Sequence, residues 1–128
     1  PGASKKFVIR FDSVSDKYWT LTNHVFDRDR GKEHCGLLRN RLVLLCSSDL
    51  QSWEIQDTLF SHEDPHFHAL QYIDWLIDGK DIIAVSRTAW EDENGLPRRQ
   101  HDANYLTFHR FESFRSRNYI KNGHIRRQ

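Results

Sequence analysis

A chain of 128 residues can hold one domain with one sizeable core, and its 19 basic and 18 acidic side chains leave a net charge of only +1, without the basic face that a nucleic-acid partner demands. Apolar residues make up 38%, below the roughly 45–50% of ordinary globular chains. Eight Phe, four Trp and four Tyr nonetheless keep aromatics plentiful, a balance that favours sheets over helical bundles.

No apolar run approaches the roughly 20 residues of a membrane helix, so no membrane partner is expected. Helical periodicity is scarce, while strand-like runs bounded by turn residues recur. KKFVIRFD (5–12) alternates and stops at a polar turn, and YWTLTNHV (18–25) follows. A charged loop, FDRDRGKEHCGLLRN (26–40), leads to RLVLLCS (41–47) and WEIQDTLF (53–60). Between these two, Ser48 and Asp49 suit a turn closed by side-chain to backbone hydrogen bonds. Leu50 and Trp53 are then expected to bury between neighbouring strands, a Trp of about 200 Å² contributing several kcal/mol at roughly 25 cal/mol per Å².

Pro65, in SHEDPHF (61–67), bars strand continuation. Three more strands are expected over His68–Ile77, Asp81–Ala89 and Ala103–Phe111. The first pair is joined by DGK, where Gly79 accepts a positive φ, and the second by the polar loop EDENGLPRRQ (91–100). Residues 116–128 read as a basic, solvated extension. Cys35 and Cys46 lack CxxC spacing, which leaves a disulfide, two buried thiols or metal ligands beside His34 all open; burial is the ordinary state of a free Cys.

The two halves repeat. SSDLQSW and HRFESFR align at an offset of 61 (Asp49 onto Arg110), which sets Leu50 on Phe111 and Trp53 on Phe114. Each half runs strand, short turn, strand, long polar loop, strand. A self-similar unit of small antiparallel strands is the pattern of a propeller blade. The expected fold is therefore all-β, with two antiparallel four-stranded blades (5–60 and 66–115) forming a partial propeller over residues 1–115. Two blades leave both outer faces bare, so the complete ring is expected to be longer than this chain.

SSDLQSWE resembles the degenerate Asp-box turn of sialidase-like glycosidase propellers. FHALQYIDWLIDGKDIIAVSRTAW together with HDANYLTFHRFESFR is similar to the C-terminal blades of bacterial sialidase-like (BNR-repeat) propellers, often exo-sialidases, with propeller polysaccharide lyases and glycosidases as relatives. The resemblance covers residues 5–115. It implies a ring of six or seven blades, an extracellular or periplasmic location, and an oligosaccharide or polysaccharide partner. The activity it implies first is hydrolysis of acidic glycans. A lyase acting on uronate polysaccharides and a non-catalytic propeller binding carbohydrate or protein are the alternatives. No cofactor is required by it, though a structural cation such as calcium is compatible. The arginine triad, acid Asp and Tyr/Glu pair of sialidases find no complete match in these residues.

Strands that alternate in direction send their connections to alternate rims. The rim shared by the entry to 68–77 and the 90–104 loop then receives Asp64, His66, His68, Arg87, Trp90, His101, Asp102 and Asn104, with Asn23, His24 and His34 from the first half; such rims are where sites are usually grafted. Alternation along His68–Ile77 puts His68, Leu70, Tyr72 and Asp74 on one face. HDAN (101–104) gathers an imidazole, a carboxylate and an amide. The catalytic candidates are accordingly His101, Asp102, Tyr72, Asp74 and His68, and the sugar-binding candidates Arg87, Asn104, His66 and Trp90. Each also has a plain structural reading: packing for Tyr72, a satisfied carboxylate for Asp74, and loop-amide capping for Asp102 and Asn104. The planar fork of Arg87 suits Asp102 as well as a sugar acid. A hydrolase needs two carboxyl groups about the glycosidic bond; a lyase needs a base such as His or Tyr and a cation to neutralise the acid. A zinc site from His66, His68 and His101 is open but lacks ligand spacing, and no metal ligand is assigned.

Overall fold

Seven strands form two antiparallel sheets in the computed structural model, which describes residues 5–117. The first sheet runs β1 (Ile9–Asp12), β2 (Lys17–Asn23), β3 (Arg41–Ser47) and β4 (Glu54–Ser61), in that spatial order. The second runs β5 (Ala69–Asp78), β6 (Asp81–Ala89) and β7 (Tyr105–Phe111). β3 and β6 keep the bounds expected of them, because each is an apolar or β-branched run closed by turn formers.

The repeat is present in the order of strands but displaced in register. β3 and β7 begin at Arg41 and Tyr105, and β2 and β6 at Lys17 and Asp81, so both pairs are offset by 64 residues (105 − 41 and 81 − 17) rather than 61. Among the described residues the second sheet has three strands where four were expected. The reason lies just past β7. Ser113 takes a left-handed backbone (φ 50°) and donates its N–H to Asp81 Oδ1 at 3.0 Å, and Phe114 N–H bonds Lys80 O at 3.2 Å. The chain is thereby folded off the sheet edge into a short 3₁₀ turn, Phe114–Ser116. The basic extension expected from 116 lies, beyond Arg117, outside the described residues.

Period-2 alternation aims one face of each sheet at the other. Trp19 and Leu21 from β2 and Leu42, Leu44 and Cys46 from β3 pack against Leu70, Ile73 and Trp75 from β5 and Ile82 and Ala84 from β6. Phe114 closes this core, fully buried, with its ring edge-on to Trp19 at 5.0 Å between centroids. Polar ties cross between the sheets as well. Trp75 Nε1 donates to Val8 O at 3.2 Å, Arg10 Nε to Trp75 O at 2.6 Å, and Arg115 grips Asp12 through two 2.7 Å bonds.

The Asp49 turn is closed by side chains as its sequence implies, though Ser47 rather than Ser48 is the partner. Asp49 Oδ1 accepts the Gln51 and Ser52 amides at 2.8 and 2.7 Å, and Ser47 Oγ accepts the Leu50 amide at 2.8 Å. Trp53 is not the buried staple expected of it. Its ring lies half-exposed and folds back to donate Nε1 to Leu50 O at 3.3 Å, while Leu50, in a left-handed conformation (φ 62°), stays exposed. The stapling aromatic is Phe114 instead.

Both thiols are free: Cys46 is buried in the core and Cys35 is exposed. The outward faces of the two sheets carry apolar groups. Phe7, Ile9 and Phe11 are exposed at the β1 edge of the first sheet, and Leu76, Val85, Leu106 and Phe108 are exposed across the second.

Candidate functional site

Antiparallel pairing sorts the connections as the sequence implied. The short turns at 13–16, 48–53 and 79–80 lie at one end of the strands, and the long loops 24–40, 62–68 and 90–104 at the other. Hydrogen bonds knit those loops into one surface. Asn23 Nδ2 donates to Leu70 O at 2.8 Å and Asn40 Nδ2 to His62 O at 2.7 Å. Gln71 Nε2 donates to Gln100 O, and Gln100 N to His66 O, each at 2.6 Å. His68, Arg87 and His101 are thus brought to a common end of their sheet.

The alternation expected along β5 breaks at Tyr72. Gln71 pairs with Arg87 and Asp74 with Val85, so two residues of β5 face one of β6 and the strand bulges. Tyr72 absorbs the extra residue with φ at 51°, a left-handed backbone that an aromatic side chain rarely adopts. Leu70, Ile73 and Trp75 consequently all reach the core, and His68, Leu70, Tyr72 and Asp74 do not share a face. Asp74 is exposed and answers Arg10 at 3.5 Å.

The bulge sets the Tyr72 ring against two cations. Arg39 and Arg87 each hold a guanidinium carbon 5.3 Å from its centroid. Arg39 is buried, with Nη1 donating to Gln71 Oε1 and Nε to Gly36 O at 3.2 Å. Arg87 is exposed, and its Nη2 donates to His101 O at 3.1 Å. Lys5 Nζ also donates to Gly36 O. Burial lowers the Lys5 ammonium to about 8, the nearby Arg39 adding to the effect and Cys35 opposing it. Lys5, Arg39 and Tyr72 border a groove of about 400 Å³ that Lys6, His34, Gly36 and Leu37 complete, and Arg87 meets the Tyr72 ring outside that lining.

A second constellation surrounds His68, which is buried. Its Nδ1 lies 2.6 Å from Asp64 Oδ2 and its Nε2 2.6 Å from Glu91 Oε2. The ring is sandwiched: His62 stacks on it at 3.8 Å, and Trp90 meets it edge-on at 4.5 Å. Burial opposes the charged imidazole, but the bonds to Glu91 and Asp64 outweigh it and raise the His68 pKa. Burial likewise opposes an ionised Asp64, which the His66 amide, the His68 ring and the Phe67 amide together hold below the usual carboxylate range. Glu91 is lowered chiefly by its bond to His68. His62, Asp64 and His68 bring ligand atoms within 4.8 Å of one another.

HDAN is put to structural use on the same rim. Asn104 Nδ2 donates to Trp90 O at 2.8 Å, and its Oδ1 accepts the Trp90 amide at 3.1 Å, which fixes the backbone beneath Trp90. Asp102 pairs with Arg99 at 3.1 Å and touches His101 Nδ1 at 3.4 Å, so it is not the partner of Arg87. His101 is half-exposed beside Arg87, and His66 is an outlying, exposed ring 3.6 Å from Glu33. Trp90 lies partly covered by His62, His68 and Phe60 and borders an apolar hollow of about 390 Å³ with Phe60, Tyr105 and Phe111.

No protein-family model matches the chain, and comparison with curated proteins and with solved structures finds no match. Five contributors escaped the sequence reading. His62 was legible in hindsight, because His62-x-Asp64-x₃-His68 spaces three ligand-type side chains within seven residues. Glu91, Lys5, Arg39 and Gln71 carry no local signal, since they come from the segment before β1, two separate loops and β5, and only the fold brings them in.

Proposed function

We propose that the chain is part of a sialidase-like β-propeller that acts on acidic glycans, and that the Tyr72 rim holds the sugar carboxylate. The single observation that carries this reading is the pair of guanidiniums against a left-handed Tyr72, with Lys5 alongside, at the loop-bearing end of the sheets. Like charges gathered at a half-buried groove repel one another, and the Lys5 pKa, lowered first by burial, is lowered further by Arg39. An arriving carboxylate relieves that repulsion. Arg presents five N–H donors in a plane that matches a carboxylate, and the bonds to Gly36, Gln71 and His101 occupy only part of the two forks. Backbone strain concentrated at one residue of a binding groove is a common companion of function.

The propeller reading is supported by the two bare outer faces. Exposed Phe7, Ile9 and Phe11 on one side and Leu76, Val85, Leu106 and Phe108 on the other are what a wedge in a ring would offer to the wedge on either side. Secretion and a glycoside-hydrolase activity follow from the resemblance in the sequence. A hydrolase of this kind would take its carboxyl pair from elsewhere on the ring, because Asp74 and Asp102 are each engaged by an arginine, Arg10 and Arg99. That same engagement favours a second reading, a uronate lyase in which Arg87 neutralises the acid and Tyr72 takes the adjacent proton.

Titration of the chain with sialylated, uronate-containing and neutral oligosaccharides, followed by NMR, tests the reading. Binding of acidic sugars that Arg87→Ala weakens at least 10-fold is expected. Equal affinity for neutral and acidic sugars would overturn it. With the full-length enzyme, release of free sialic acid marks the hydrolase, and the ultraviolet absorbance of an unsaturated uronate marks the lyase.

A further inference from the structure

We infer that His62, Asp64 and His68 form a binding site for a divalent transition ion of the zinc type, with Glu91 as its outer support. The three ligand atoms lie within 4.8 Å of one another, and imidazole with carboxylate is the donor set that suits such an ion. The scaffold beneath them is already fixed. His62 N–H bonds Asn40 O at 2.8 Å, and Asn40 returns a bond to His62 O at 2.7 Å. Asp64 is oriented by the His66 and Phe67 amides at 2.8 and 3.1 Å, and the His68 ring is held between His62 and Trp90.

Glu91 completes the pattern. A metal-bound histidine usually gives its second ring nitrogen to a carboxylate, which fixes the tautomer and strengthens the ligand. His68 has that arrangement, with Nε2 on Glu91 and Nδ1 facing Asp64, both at 2.6 Å. On binding, the ion takes the place of the proton between Nδ1 and Asp64 Oδ2. That pair must then open to roughly 3.3 Å, the edge of a tetrahedron with metal–ligand bonds of about 2.0–2.1 Å. Three protein ligands leave a fourth position for water or a ligand, the pattern of a site that does more than hold a fold together.

Zinc(II) added to chelator-treated protein, followed by calorimetry, tests the site, with cobalt(II) as a spectroscopic substitute. One equivalent is expected to bind, with tetrahedral cobalt absorption. His62→Ala should abolish that binding, and Glu91→Gln should weaken it by roughly 10–100-fold. Because His68 is buried, the folding of each variant is checked by circular dichroism, and His62→Ala, at a half-buried position, is the deciding one. Zinc that does not bind, or that binds wild type and His62→Ala alike, overturns the inference. This inference does not depend on the acidic-glycan reading, and either can fail without the other.

Discussion

Arg115 closes on Asp12 through two parallel 2.7 Å bonds, joining positions 103 residues apart in the chain. Asp12 is buried and also accepts the Ser15 amide and hydroxyl. The bond from Arg115 holds the Asp12 carboxyl well below the usual range, against the opposing effect of burial. A carboxylate depressed in the folded state stabilises it fully above the unfolded pKa of about 3.9 and loses that contribution as pH falls through that value towards the folded one. Denaturant unfolding measured from neutral pH down into strong acid should show stability falling below about pH 4. Asp12→Asn should flatten part of that fall and remove about 3 kcal/mol at neutral pH. An unchanged acid limb in the variant would refute the assignment.

Phe114 and Trp53 invite a direct comparison, because both are aromatic residues at strand-end turns. Phe114 is wholly buried against Trp19, whereas Trp53 stays half-exposed over its own turn. Phe114→Ala is expected to destabilise by about 3–5 kcal/mol and Trp53→Ala by about 1 kcal/mol. Equal losses in urea unfolding would mean that the staple had been misplaced.

Arg39 and Arg87 touch the same ring from different environments, so their substitutions should separate stability from binding. Arg87→Ala, at an exposed position, should leave the unfolding midpoint within the error of the measurement while lowering affinity for an acidic oligosaccharide at least 10-fold, about 1.4 kcal/mol. Arg39→Ala should lower the midpoint as well, since buried Gln71 loses a partner.

Phe108 pairs across the sheet with Val85, and both are exposed. Under the proposed propeller reading, a chain with two bare apolar faces should associate when alone in solution. Analytical ultracentrifugation of this chain is expected to show concentration-dependent self-association that Phe108→Lys suppresses without loss of stability. A monodisperse monomer across the accessible range would count against the ring.

Much of the scaffold was legible in the residues themselves. β3 and β6 announced their bounds because apolar or β-branched runs and turn formers agree there, and the loop-bearing end followed from strand direction alone. Tyr72 shows where such reading stops. Alternation assumes an uninterrupted pleat, and nothing in QYIDW marks an extra residue, since no glycine signals the left-handed backbone. The 61-residue alignment matched Trp53 to Phe114 by chemical likeness, whereas the strands themselves recur at 64. HDAN drew attention as a cluster of reactive groups, yet Asn104 and Asp102 are engaged locally with Trp90 and Arg99. The clasp around His68 depended on Glu91, 23 residues away, and only a closed fold makes them neighbours.

The one-residue slip at Tyr72 divides β5 into two stretches with separate duties. Upstream, Gln71 and Tyr72 answer to the loops; downstream, Ile73 and Trp75 answer to the packing between sheets. Exchanges at position 72 can therefore alter the rim while the interior stays as it is. A variant that deleted Tyr72 outright would iron out the bulge and leave Leu70, Ile73 and Trp75 in plain alternation on the inner face.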